Sequence, residues 1–262
     1  MRYVSSKKIL RRIKNLFELV RATPETFAHE KRVLRDLIPR GYSPPVVYDV
    51  GASTGVWSDC IAEVLPGSQF HLFEPLSEIV DFYKRDLQKR LQRRPNLRLH
   101  PIALGDTNGS AVMFVAQDGY GSSLNDRGDI PEVKARVSVP KRRLDQYVAE
   151  QRLPLPQIIK IDSQGAEGVI LRGAGDLLKH VQLLFLECWL KRGYGPNTPL
   201  LTEITEWLAP IGFSPVEIGE CFYDDWHRLY SLDVVFFAES FLREFRRPQV
   251  EHSTGNGATP TL

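Results

Sequence analysis

The sequence predicts an α/β fold built on a mostly parallel, Rossmann-like sheet. Three observations carry this. Short apolar, β-branched runs recur with helix-length stretches between them, and several of the runs stop at an acid. The first run passes directly into a glycine-containing turn, Val46-Val47-Tyr48-Asp49-Val50-Gly51-Ala52-Ser53-Thr54-Gly55. Alternation of this kind marks βαβ units with helices on both faces of the sheet. At 262 residues, 42% hydrophobic and 25% charged, the chain suits one such domain with additions. It is long enough to bury a core without disulfides or metal staples.

The elements follow in order. Ile9, Leu10, Ile13, Leu16, Phe17 and Val20 fall at helical spacing with bases opposite, and Pro24 to Leu37 reads as a second helix ended by Pro39-Arg40-Gly41. Residues 1–42 are thus an N-terminal helical extension, and the main domain runs over residues 43–240. Strands are predicted at 46–50, 69–73 and 97–102, with helices at 56–65 and 77–91 between them. The pattern changes from 103 to 145, where Ala111 to Val115 and Ala135 to Val139 flank a turn-rich loop and read as an antiparallel β-ribbon insertion. Alternation then returns: strand 158–162, helix 165–179, strand 183–187, helix 200–209, and strands 213–218 and 234–238. That makes seven strands in the main sheet. Residues 241–262 form a C-terminal extension whose Ser/Thr/Gly/Pro-rich tail from Pro248 reads as disordered.

The net charge of +2 is unevenly spread, since residues 1–40 carry +7 and the remainder −5. The N-terminal apolar run is too short and interrupted for a signal peptide or a membrane span. The basic helix leaves three partners open: the domain itself or a second copy in a homodimer, an anionic membrane surface, or nucleic acid. The acidic bulk of the domain weighs against nucleic acid. The three cysteines, Cys60, Cys188 and Cys221, form no CxxC pair and sit in apolar surroundings, as reduced thiols of a cytoplasmic protein do.

Four apolar runs end at an acid: Asp49, Glu74, Asp162 and Glu187. In open α/β sheets the carboxyl edge of the strands, where strand order reverses, is where ligands bind. The glycine turn discriminates between cofactors. A dinucleotide loop needs Gly-x-Gly-x-x-Gly, and here Ser53 replaces the glycine that admits a pyrophosphate. Asp49 would also repel a phosphate. Turn amides facing a ligand, carboxylates for an ammonium and Glu74 for two ribose hydroxyls describe a phosphate-free nucleoside with an amino-acid end, S-adenosylmethionine.

At this level of detail the chain resembles the FkbM-type methyltransferases, a branch of the class I S-adenosylmethionine-dependent enzymes. The resemblance spans about Val46 to Ala238. It rests on Asp49-Val-Gly-Ala-Ser-Thr-Gly55, Phe73-Glu74-Pro75, Ala103-Leu104-Gly105-Asp106, Gly121-Ser122-Ser123, Leu144-Asp145, Ile159-Lys-Ile-Asp-Ser-Gln-Gly-Ala-Glu167, Leu171-Arg-Gly-Ala174 and Glu187. It implies that Asp49, Gly51 and Gly55 shape the methionine end of a cofactor site, that Glu74 takes the ribose and that Asp106 meets the adenine amino group. Ala52, Ser53, Trp57, Pro75, Ala103, Leu104, Ser123 and Asp162 are expected to bind the cofactor as well. One departure stands out: Ser163-Gln164 replaces the family's frequent Val-Glu, which weakens the case for a divalent metal on Asp162, residue 164 and Glu187. No metal is therefore expected.

Methyl transfer to a hydroxyl benefits from a general base. Asp162, Glu187 and Glu167 are the candidates, with His227 on the late aromatic loop as an alternative to its being merely packed. Glu167 has a second reading, as an acid favoured in the first turn of a helix. His71 and His100 read as structural. The glycine-rich loop at 118–131 reads as a lid or an exposed ribbon turn, and residues 193–198 as part of the acceptor side. The family implies an O-methyltransferase acting on a small molecule or glycan. Nucleic-acid methylation and a non-catalytic binding module are the alternatives.

Overall fold

The computed structural model describes residues 26–117, 119–126 and 133–245. The predicted helix over the first twenty residues and the tail from Pro248 lie outside the described residues.

Seven strands form the main sheet: Val46–Val50 (β1), Gln69–Phe73 (β2), Leu97–His100 (β3), Ile158–Ile161 (β7), Leu183–Trp189 (β8), Phe213–Tyr223 (β9) and Leu229–Ala238 (β10). Their order is β3-β2-β1-β7-β8-β10-β9. The first five pair in parallel, and β10 is antiparallel to both β8 and β9. All five residues of β1 and all four of β7 are buried, as befits central strands covered on both faces. Strand order runs outward from β1 to β3 and then restarts at β7, so the reversal lies between β1 and β7.

Helices Val56–Ile61 (α2), Asp81–Arg93 (α3), Leu144–Gln151 (α4), Glu167–Ala174 (α5) and Leu201–Leu208 (α6) connect the strands. Several differ from expectation for local reasons. The helix expected from residue 77 starts at Asp81, because the Glu74 carboxylate takes the Leu76 amide and bends the chain there. The helix expected over 165–179 becomes 3-10 at Gly175, whose φ of 51° is left-handed. Helix α4 follows the insertion and was not expected. The insertion itself is a three-stranded sheet, with Ala103–Leu104 (β4) parallel to Val133–Arg142 (β6), and β6 antiparallel to Gly109–Ala116 (β5).

Helix Ala28–Leu37 (α1) and helix Glu239–Phe245 (α7) close on the same core. Val33, Leu34 and Leu37 are buried in it, and Tyr42 packs against α7, its ring tilted to Phe241 at 5.1 Å and edge-on to Phe245 at 5.9 Å. Of the four largest fully buried side chains, Tyr48, Phe70 and Phe73 lie on β1 and β2 and Phe236 on β10. Removing a side chain of that size from water stabilises the fold by about 1.5–3 kcal/mol. This anchors the two strands whose ends carry the first acids. His71 and His100 are hydrogen-bonded ring to ring at 2.9 Å within this core, and burial lowers both to about 4, which keeps them neutral structural groups.

Candidate active site

The ends of β1, β2 and β7 meet at the strand-order reversal. Gly51 has φ of 72°, and a Cβ there would run into the carbonyl oxygen of Asp162, so only glycine lets the first turn close on the chain leaving β7. Ser53 adopts the same left-handed region at φ 53°. The turn's amides look inward. Those of Gly51 and Ala52 donate to the Phe73 carbonyl at 3.0 and 3.2 Å, and that of Gly55 donates to Ala52. The expected ligand-facing amides are therefore spent on the open end of β2, whose carbonyl needs donors.

Glu74 is 4% exposed and both of its oxygens are held, Oε2 by the Ser53 amide and Oε1 by the Leu76 amide, each at 2.8 Å. Burial nonetheless pushes it up to about 7. It borders a cleft of about 780 Å³, measured out to its open mouth. Of the residues expected at the site, Gly51, Ser53, Glu74, Pro75, Ala103, Leu104 and Asp162 line this cleft. Leu76, Tyr83, Met113 and Tyr120 add an apolar and aromatic wall beside Glu74, and Ser163 and Gln164 continue the wall beside Asp162.

The other expected residues stand behind that wall. Asp49 has no exposed surface; its Oδ2 accepts a 2.7 Å hydrogen bond from Ser58, and its Oδ1 lies 3.4 Å from the Lys160 ammonium. Ala52 is buried beneath the turn. Gly55 is packed so closely that a Cβ would press on Leu87 at 2.9 Å. Trp57 is a core residue set edge-on to Phe185 at 6.0 Å. Asp106, expected at adenine, is drawn outward to Arg172 at 3.2 Å. Ser123 is committed to the backbone, donating to the Gln164 carbonyl at 2.6 Å.

The three candidate bases also separate. Asp162 faces the cleft with its side chain 43% exposed. Glu167 is wholly buried, and its Oε1 accepts the amides of Ser163 and Gly165 at 2.9 and 3.1 Å; burial pushes it up to about 7. It builds the turn between β7 and α5. Glu187 lies inside β8 opposite Asp233, and burial, reinforced by Asp162, pushes it well above the usual carboxylate range. His227 is neither packed nor near the cleft, being exposed at φ 56° in the turn joining β9 to β10.

Lys160 was not anticipated. It leaves the middle of β7, donates to the Gly51 carbonyl at 3.1 Å, and lies 3.5 Å from Asp162 Oδ2. Burial works against its charge, but Asp162 and Asp49 outweigh that and hold it above its ordinary value. A lysine inside the otherwise apolar run Ile158-Ile159-Lys160-Ile161 was the available signal. The described part of the insertion loop is anchored: Asn125 Nδ2 donates to the Gly165 carbonyl at 2.8 Å. Cys60 and Cys188 are buried and Cys221 is partly exposed, all as free thiols. Among the described residues no helix is long and apolar enough to cross a membrane, and no three His, Cys, Asp or Glu side chains converge as a metal site.

A family model described as the methyltransferase FkbM domain matches residues 49–215, which include β1, the Glu74 turn and the β7–α5 turn. The chain belongs to the FkbM methyltransferase family. With the strand order above, its fold is that of the class I methyltransferases, and the protein is a methyltransferase. It is 25% identical to the 2-O-methyltransferase NoeI of Sinorhizobium fredii (strain NBRC 101917 / NGR234) over 169 residues, covering 60% of this chain and 68% of that one. Among solved structures, the methyltransferase FkbM from Methylobacillus flagellatus KT aligns with 18% identity and a TM-score of 0.47, covering 74% of this chain. The chain spans only 43% of the length of that protein. The precorrin-6y C5,15-methyltransferase from Geobacter metallireducens GS-15 aligns with 13% identity and a TM-score of 0.44, covering 83% and 89% of the two chains.

Proposed function

We propose that this FkbM-family enzyme methylates a hydroxyl group of a small molecule or glycan, a sugar being the favoured acceptor, with S-adenosylmethionine as donor. The observation that carries the reading is Glu74. Two backbone amides fix its carboxylate at the cleft beside an apolar wall, which suits a ribose diol with a flat base next to it. The buried and unpartnered Ser53 hydroxyl and the acids along the wall suit a cationic amino-acid end. The 2-O-methyltransferase name of the Sinorhizobium relative favours a hydroxyl acceptor.

S-adenosylmethionine, when bound, supplies a methyl group on a cationic sulfur, ready for in-line displacement. The protein's part is to place an acceptor and to take its proton. In this reading Asp162 both helps to hold the cofactor's ammonium and accepts the acceptor's proton, since it alone of the three candidate bases reaches the cleft. Glu167 shapes the turn that presents it, and Lys160 keeps it beside Gly51.

Calorimetry with S-adenosylhomocysteine tests the donor. Mass spectrometry of glycans and metabolites from cells with and without the protein tests the acceptor, which should differ by one CH₂. Failure to bind the nucleoside would overturn the reading. A methylated nucleotide as the sole difference would replace the sugar by nucleic acid.

A further inference from the structure

Gln164 is held more completely than its half-buried position requires. Its Nε2 donates to Asp162 Oδ1 at 2.8 Å and to Glu187 Oε2 at 3.0 Å, while its Oε1 accepts the Tyr194 hydroxyl. Its backbone sits at φ 53°, and its carbonyl takes the Ser123 hydroxyl at 2.6 Å. Tyr194 is 5% exposed, with its ring edge-on to Trp189 at 5.1 Å, so the hydroxyl that fixes the amide is itself fixed.

Two carboxylates aimed at one point repel each other, and such a pair normally collects a shared proton or a hard cation. Here an amide nitrogen sits between the two acids and offers one hydrogen to each without adding charge, while burial and Asp162 hold Glu187 well above the usual carboxylate range. Tyr194 determines which end of the amide faces the acids. With Oε1 turned toward them, both bonds would be lost and three oxygens would converge.

We infer that Gln164 is a positioning residue whose amide bridges Asp162 and Glu187 in the place a divalent cation would otherwise take, with Tyr194 setting its orientation. This rests on the proposed reading of Asp162 as the group that meets the acceptor. It assigns to residues 164 and 194 the task of aiming that carboxylate.

The test uses the full chain, three single variants and one double variant, with Mn²⁺ alone as one probe and S-adenosylhomocysteine as another. By electron paramagnetic resonance, Gln164→Glu should bind one Mn²⁺ at least ~20-fold tighter than the unaltered chain, because three oxygens then face the point. Adding Glu187→Gln should abolish the gain, and Gln164→Leu should show none. In nitrogen-edited NMR spectra, the side-chain amide missing from Gln164→Leu identifies Gln164. Its hydrogens should exchange with water at least ~10-fold faster in Tyr194→Phe. Equal Mn²⁺ affinity in the unaltered chain and Gln164→Glu would overturn the bridge, as would a folded Gln164→Glu that gains none. Unchanged exchange in Tyr194→Phe would remove Tyr194 from it. Calorimetry with S-adenosylhomocysteine judges the donor reading separately, since the Mn²⁺ and exchange results stand whether or not the nucleoside binds.

Discussion

The Lys160 ammonium stands 3.4 Å from Oδ1 of Asp49, a carboxylate with no exposed surface. Neither charge would survive alone in the centre of the sheet, where an unpaired ion carries a desolvation penalty of several kcal/mol. The same ammonium bonds the Gly51 carbonyl, so the pair also ties the glycine turn to β7.

Removing the cation should therefore be a stability defect before it is a catalytic one. Lys160→Met is expected to lose roughly 3–5 kcal/mol, and adding Asp49→Asn should restore part of it. Urea unfolding measures both. A loss below about 1 kcal/mol would mean that water already solvates Asp49.

Glu74 makes the complementary prediction, an affinity defect. Glu74→Gln keeps the size and one acceptor oxygen but removes the charge behind the hydrogen bonds. S-adenosylhomocysteine affinity should fall by roughly 1.5–3 kcal/mol, about tenfold or more, with the fold intact. Unchanged binding in calorimetry would place the ribose elsewhere.

The stability that Glu74 and Glu167 contribute should decline as pH rises. Glu74 and Glu167 are pushed by burial from 4.5 to about 7, so between those values the folded chain holds protons that the unfolded chain has released. Their contribution is complete below about 4.5 and lost as pH passes about 7. His71 and His100, lowered to about 4, act in the opposite sense below pH 6.5, so the measure is a difference: the parent's urea midpoint relative to that of Glu167→Gln should drop between pH 5 and pH 8. Nucleoside affinity should move the other way, rising through pH 7 as Glu74 ionises. A Glu167→Gln slope as steep as the parent's would contradict this account.

Asp162→Asn should slow methyl transfer by about a hundredfold or more while S-adenosylhomocysteine affinity changes only a few-fold. Initial rates on the acceptor identified by the CH₂ comparison provide the check. Near-normal turnover would exclude Asp162 as the proton acceptor.

Much of the fold was legible because strands buried on both faces spell themselves as apolar runs. β1 and β2 match their expected bounds to the residue. Strands β9 and β10 run longer than expected, since their outer halves form a mixed-polarity hairpin beyond the core. Helix α4 escaped notice because only Leu144 and Val148 of its eight residues are buried. At the site, Glu74 and Asp162 were visible as acids closing apolar runs. Asp49 and Glu187 look the same in sequence, but they lie inside their strands rather than after them: Asp49 is wholly buried, and half-buried Glu187 meets Gln164 instead of lining the cleft. Tyr83 left no signal, and Tyr120 was visible only as part of the loop read as a lid or a ribbon turn: both reach the cleft because the insertion folds back over α3, where the Tyr83 hydroxyl donates to the Gly119 carbonyl at 2.9 Å.

The close approach of Gly51 to the Asp162 carbonyl has a consequence for how such enzymes diversify. Everything on the proposed nucleoside wall comes from residues 50–124, whereas Asp162, Gln164 and the Tyr194 loop come later in the chain. The two blocks share the β1–β7 ladder and the contacts of Lys160 with Asp49, Ser123 with Gln164 and Asn125 with Gly165, and their tightest joint is the seam at Gly51, with no side chain on its near side. A later block from another family member would fit this one only if its backbone presented that carbonyl at the same spot and kept those contacts. Exchange of parts is here limited by matched joints inside one fold, Gly51 being the tightest.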